Sequence, residues 1–132
     1  MPYPEKEPRW ITLAIAQELQ QRQIATFGGL PGIRDANLLD SALNRPKNRY
    51  LYEPDVTYAG LAASYCFGIA KNHPFVDGNK RAAYVAATVF LRLNGIRIAP
   101  SQEDIINTIL SLASGELEES DLAEWFERLI TN

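Results

Sequence analysis

Hydrophobic residues return along this chain every three or four positions in one segment after another, and strict alternation of apolar and polar residues is almost missing. That rhythm marks amphipathic helices, in which residues three and four apart share a face. It predicts an all-α protein. A first helix is expected over about Ile11 to Thr26, with Ile11, Ala14, Ile15, Leu19 and Ile24 on or near one face and Gly28-Gly29 as its stop. After the glycine- and proline-rich stretch GGLPGIRD, a second helix is expected from about Asp35 to Arg45, with Leu38, Leu39, Ala42 and Leu43 inward. Pro46 should end it, because proline cannot donate the next backbone hydrogen bond, and PKNRYLYEPD then reads as loop.

From Thr57 to about Asn72 the segment TYAGLAASYCFGIAKN is small and apolar nearly all round, as in a helix packed on several sides. The next helix starts near Gly78, buries Val85, Ala86, Val89, Phe90 and Leu93, and stops at Asn94-Gly95. These two helices should be central. IRIA reads as a short extended piece. Ser101, three residues before Asp104, opens a helix carrying Ile105, Ile106, Ile109 and Leu110, which Gly115 closes. A last helix from about Ser120 to Ile130 buries Leu122, Trp125, Phe126, Leu129 and Ile130. The sum is a bundle of about six helices in a single domain, 1–132, without repeats or linkers.

Composition narrows the function classes. With 46% hydrophobic and 22% charged residues the chain is ordinary for a globular protein. A net charge of -3 offers no broad basic surface for nucleic acid or membrane. The lone Cys66, set among apolar residues, excludes an internal disulfide and a cysteine-based metal site and is expected in the core. The opening MPYPEKEPRW lacks a basic-then-apolar leader, and even YVAATVFLRL is broken by Arg92, so a cytoplasmic protein without a membrane span is expected.

The chemistry is concentrated in HPFVDGNKR, residues 73–81, which holds the only histidine. If a helix begins at Gly78 or Asn79, the N–H groups of Gly78, Asn79, Lys80 and Arg81 have no intrahelical partner and favour an anion, as does the helix dipole. Gly78 allows close approach of that anion to the backbone. Lys80 and Arg81 add formal positive charge. Asp77 at the mouth of this turn tolerates phosphates only with a cation between, and Mg²⁺ takes carboxylate and phosphate oxygens together. His73 carries an imidazole able to accept a proton near neutral pH. Plainer roles are open at each position: Asp77 as a helix cap, His73 as a structural residue, Lys80 and Arg81 as a solvated face.

HPFVDGNKR resembles the signature of the Fic/Doc superfamily, and its lysine form resembles the death-on-curing (Doc) toxin branch. FGGLPGIRDANLLDSALNRP, YAGLAASYCFGIAKNHPF and LASGELEESDLAEWF resemble the same branch in the same order, covering nearly the whole chain. In the Fic branch a glycine stands where Lys80 is found and an arginine where Tyr84 is found, both serving AMP transfer. The resemblance to Doc implies instead transfer of the ATP γ-phosphate to a threonine of the translation factor EF-Tu, which halts protein synthesis.

It further implies His73 as general base and Asp77 as the Mg²⁺ ligand. Gly78, Asn79, Lys80 and Arg81 would hold the phosphates, and Pro74 and Phe75 would be structural. GLPGIRD matches a flap over the active site, where Arg34 would meet a phosphate or the target, or else pair with a carboxylate to hold the turn. Ser114 to Glu118 approaches the inhibitory pattern of Fic proteins but is followed by Glu119, so it is read as capping. The resemblance implies a separate antitoxin whose disordered C-terminal segment folds onto this protein. An adenylyltransferase acting on protein hydroxyls and a catalytically idle binding module are the alternatives.

Overall fold

The computed structural model describes residues 3–131. Met1, Pro2 and Asn132, with which the expected domain begins and ends, lie outside the described residues. Within them the protein is all-helical: α1 (Leu13–Phe27), α2 (Ala36–Tyr52), α3 (Tyr58–Asn72), α4 (Asn79–Leu93), α5 (Gln102–Ala113) and α6 (Glu119–Thr131). No strand forms among the described residues. The single β pairing there is an antiparallel bridge between Ile33 and Phe75.

The helices begin where their side chains can satisfy orphan donors. Thr12, Asp35, Thr57 and Ser101 cap α1, α2, α3 and α5 by accepting from the N–H groups of Ile15, Leu38, Gly60 and Asp104. The core is built on α3, which buries eleven of its fifteen residues and packs against α2, α4 and α6. Ala59, Ala62, Ala63, Cys66 and Gly68 keep its surface narrow, so neighbouring helices approach closely. A Cβ on Gly68 would lie 3.5 Å from the Cα of Ala42 on α2. Burial pushes the Cys66 thiol up to about 12, so it stays protonated and inert.

The second helix departs from expectation. α2 continues through Pro46 to Tyr52, and the side chain of Pro46 is fully buried. The lost backbone bond to the Ala42 carbonyl is outweighed by packing on α3 and by Arg49. The Arg49 guanidinium donates to the Gly60 carbonyl at 2.8 Å, Ser64 Oγ at 2.9 Å and Glu119 Oε2 at 2.9 Å. The face of α1 also differs, since Ala14 is exposed while Ala16 and Gln20 are buried. Leu93 is 36% exposed at the C-terminal end of α4. The segment 96–99 alternates as extended chain does, with Ile96 and Ile98 partly buried, but forms no β pairing among the described residues. Ser114 ends α5 and its hydroxyl donates to the Ser111 carbonyl, a capping role as read. Among the described residues, no helix is long and apolar enough to cross a membrane.

Candidate active site

α3 ends and α4 begins within seven residues, and this junction carries the motif. His73 caps α3 in the left-handed region, with φ 48° and ψ 54°. It is the one non-glycine residue with positive φ among those described. This conformation costs an L-residue roughly 1–2 kcal/mol. Arg34 helps to hold it. Its guanidinium donates to the carbonyl oxygens of His73 at 2.7 Å and Asn72 at 3.0 Å, satisfying the exposed end of the helix. The partners of Arg34 are thus backbone carbonyls rather than a carboxylate. The imidazole itself is exposed and makes no hydrogen bond among the described residues.

Pro74 and Phe75 are buried, as their structural reading requires. The side chain of Asn79 faces back to the loop: Oδ1 accepts from the Phe75 N–H at 2.9 Å and Nδ2 donates to the Phe75 carbonyl at 3.0 Å. What Asn79 can offer a ligand is therefore its backbone N–H.

α4 starts differently from α1, α2, α3 and α5. Its N-cap is Gly78, at φ 72° and ψ 20°, and no side chain caps the helix. Asp77 does not fill that place, since its Oδ2 accepts from the Leu30 N–H at 2.8 Å across the site. Among the described residues, no protein acceptor takes the N–H groups of Gly78, Asn79, Lys80 or Arg81. They open with His73, Val76 and Asp77 onto a depression of about 390 Å³. Lys80 is exposed and unpaired among the described residues. The Arg81 guanidinium lies 3.8 Å above the Phe27 ring, which restricts where its charge sits.

The stretch Gly28–Arg34 lies along the motif loop. The Arg34 and Asp35 N–H groups donate to the Pro74 carbonyl at 2.7 and 3.0 Å, and Val76 N–H donates to the Gly32 carbonyl at 3.0 Å. The rim is apolar: Phe27, Leu30 and Val76 are 59%, 64% and 42% exposed. Tyr84, one turn into α4, turns away and sets its ring 6.2 Å from that of Trp125 on α6. Sequence reasoning missed Gln20, Phe27 and the Leu30 N–H. A signal for Gln20 was present, a polar residue four after Ala16 and four before Ile24 on one helical face.

The all-helical scaffold brings an imidazole, a carboxylate and an uncapped row of N–H groups to one helix junction, a geometry that suits an anionic group. The model of the Fic/DOC family matches residues 10–91. The chain is 33% identical over 111 residues to the protein kinase doc of Escherichia phage P1, covering 84% of this chain and 87% of that protein. It is 41% identical over 91 residues to the toxin Doc of Mycolicibacterium smegmatis, covering 63% and 68%. The chain belongs to the Fic/Doc family.

Proposed function

We propose that this protein is a Doc-type toxin that transfers the γ-phosphate of ATP to a hydroxyl group of a target protein. The observation that carries the reading is the uncapped start of α4, four unpartnered N–H groups with Lys80 and Arg81 beside them and His73 across the same depression. Such a site is preorganised for the charge of a phosphoryl group in transit.

The residues also suit a Mg²⁺ ion that arrives with the nucleotide. Oδ1 of Asp77 accepts no hydrogen bond from the described residues, Oδ2 being held by Leu30. No group of three or more His, Cys, Asp or Glu side chains is placed to hold a metal among the described residues, so phosphate oxygens would complete the shell. Magnesium, when bound, would offset the repulsion between Asp77 and the phosphates and polarise the phosphoryl group.

The imidazole of His73 takes the proton of the acceptor hydroxyl as its oxygen bonds to the γ-phosphorus. The bond from that phosphorus to the β–γ bridging oxygen breaks, and ADP leaves. The N–H groups of Gly78 to Arg81, with the Lys80 and Arg81 side chains, hold the phosphate oxygens throughout. The Lys80 side chain fills space that a glycine would leave open, and Tyr84 packs on α6 instead of facing the phosphates. Both features favour presenting the terminal phosphorus over the α-phosphorus.

A threonine of EF-Tu is the proposed acceptor, in the cytoplasm, with an antitoxin bearing a disordered C-terminal segment as the neutralising partner. The names of the two relatives, one a protein kinase and the other a toxin, support the reading. The test is to incubate the protein with Mg-ATP and EF-Tu and weigh the product. A gain of one phosphoryl group is expected; a gain of AMP would replace the proposal with nucleotidyl transfer.

A further inference from the structure

Gln20 is one of two buried polar side chains among the described residues, 1% exposed in the middle of α1. Its amide joins three segments. Nε2 donates to the Asp77 carbonyl at 3.1 Å and to the Leu30 carbonyl at 3.3 Å, while Oε1 accepts from the Gly32 N–H at 3.2 Å. One side chain thus holds the middle of the flap, at Leu30 and Gly32, and the peptide group that leads into α4.

That peptide matters because of its geometry. All peptide bonds among the described residues are trans, so the N–H of Gly78 points opposite to the carbonyl of Asp77 across the same plane. Drawing the carbonyl towards buried Gln20 turns the Gly78 N–H outward, and it meets no protein acceptor there. The position needs a latch. Gly78 sits at φ 72°, and with no Cβ it can rotate the whole peptide plane by compensating changes in the Asp77 ψ and its own φ. Rotation would bring the carbonyl, a partial negative charge, to the place where the anion should lie.

We propose that Gln20 is a positioning residue for phosphoryl transfer, fixing the Asp77-Gly78 peptide so that its N–H faces the phosphates and holding the flap in register with Asp77. The inference rests on the phosphate-binding reading of the site, but its test is separable from it. Gln20→Met keeps the length and bulk of the side chain while removing donor and acceptor, so a role limited to packing predicts no loss. Gln20→Glu keeps the shape and replaces the Nε2 amide donor with a carboxyl oxygen, so the paired donation to the Asp77 and Leu30 carbonyls is lost.

Both variants should fold cooperatively. Both should show kcat/KM for ATP about 100-fold lower, with kcat falling and KM rising together, as when one pre-aimed donor is lost. In nuclear magnetic resonance spectra, inorganic phosphate should shift the amides of Gly78 to Arg81 in the wild type, and that of Gly78 should drop out of the set in Gln20→Met. The residual dipolar coupling of the Gly78 N–H should also change in that variant. Wild-type kinetics within twofold and an unchanged Gly78 coupling in both variants would overturn the proposal. In the wild-type protein, the side-chain amide protons of Gln20 should exchange slowly with solvent, and rapid exchange would overturn it without any variant. If the wild type transferred no phosphate to any protein, the phosphotransfer reading would fall while the amide measurements still decided the role of Gln20.

Discussion

His73 unites two demands in one residue. It ends a helix in a conformation that glycine adopts most easily, yet the proposed chemistry needs its imidazole, and Arg34 offsets part of the cost by binding the last carbonyls of α3. Because the ring is exposed and unbonded, His73→Ala should leave the thermal midpoint close to that of the wild type. The same variant should lower kcat by about 10²–10⁴-fold, the usual share of general-base help, as read by phosphate incorporation into the target. Gly29 presents the opposite case. It adopts φ 110°, and a Cβ there would stand 3.0 Å from Ile24 Cδ1 and 3.2 Å from Asp77 Cβ. Gly29→Ala should destabilise the fold by about 1–3 kcal/mol and weaken Mg-ATP binding by displacing Asp77, seen by denaturation and calorimetry respectively. The residues from His73 to Arg81 were legible in the sequence because they are contiguous and their types share one chemistry. The contacts of Gln20 and Leu30 with Asp77 were not, because they span 57 and 47 positions of chain, and only the packing of α1 brings them together; the face of α1 marked Gln20 as a buried polar residue without saying what it meets.

Helix ends decide which elements are structural and which are available. Four helices satisfy their first donors with Thr, Asp or Ser, whereas α4 begins at a glycine and leaves its first donors without a protein partner among the described residues. The start of α6 is held differently. Glu119 accepts from Arg45 and from Ser64 at 2.8 Å, and pairs with Arg49 at 2.9 Å. Burial by itself would raise the Glu119 carboxyl, but the hydrogen bonds from Arg45 and Ser64 and the charges of Arg45 and Arg49 outweigh it and hold it below the usual carboxylate range. A carboxyl depressed in the folded state stabilises the protein above the unfolded value, near 4.3, and loses that contribution as pH falls through the folded value. Glu119→Gln should therefore melt below the wild type at pH 7, and the gap should narrow as pH drops beneath about 4. A constant gap in thermal scans across that range would refute the network. The same network explains why α2 outran its expected stop at Pro46. A proline in sequence reads as a terminator, but Arg49 one turn later is anchored on α3 and α6, and such long-range bonds leave no mark on local pattern. The boundaries of α3 and α4, set by Thr57 and Gly78 beside strongly apolar runs, were legible to within a residue or two.

For the molecule as a whole, the site is composite: α1 supplies Gln20 and Phe27, the flap supplies Leu30, and the junction of α3 and α4 supplies the rest. With a single carboxylate facing the depression, Mg²⁺ alone should give no measurable heat in calorimetry, whereas Mg-ATP should bind and raise the melting temperature. A hundredfold excess over Kd adds about 2.7 kcal/mol of stability. Saturable binding of the metal without nucleotide would contradict this arrangement. The order in which the chain is made adds a last point. Leu122 and Phe126 of α6 are fully buried against the central helix, so the interior stays open until after the flap, the histidine and the lysine have all emerged from the ribosome. A growing chain therefore holds the flap and the motif before the core that fixes their geometry is complete, and the junction of α3 and α4 is set in its final frame only once α6 has been made.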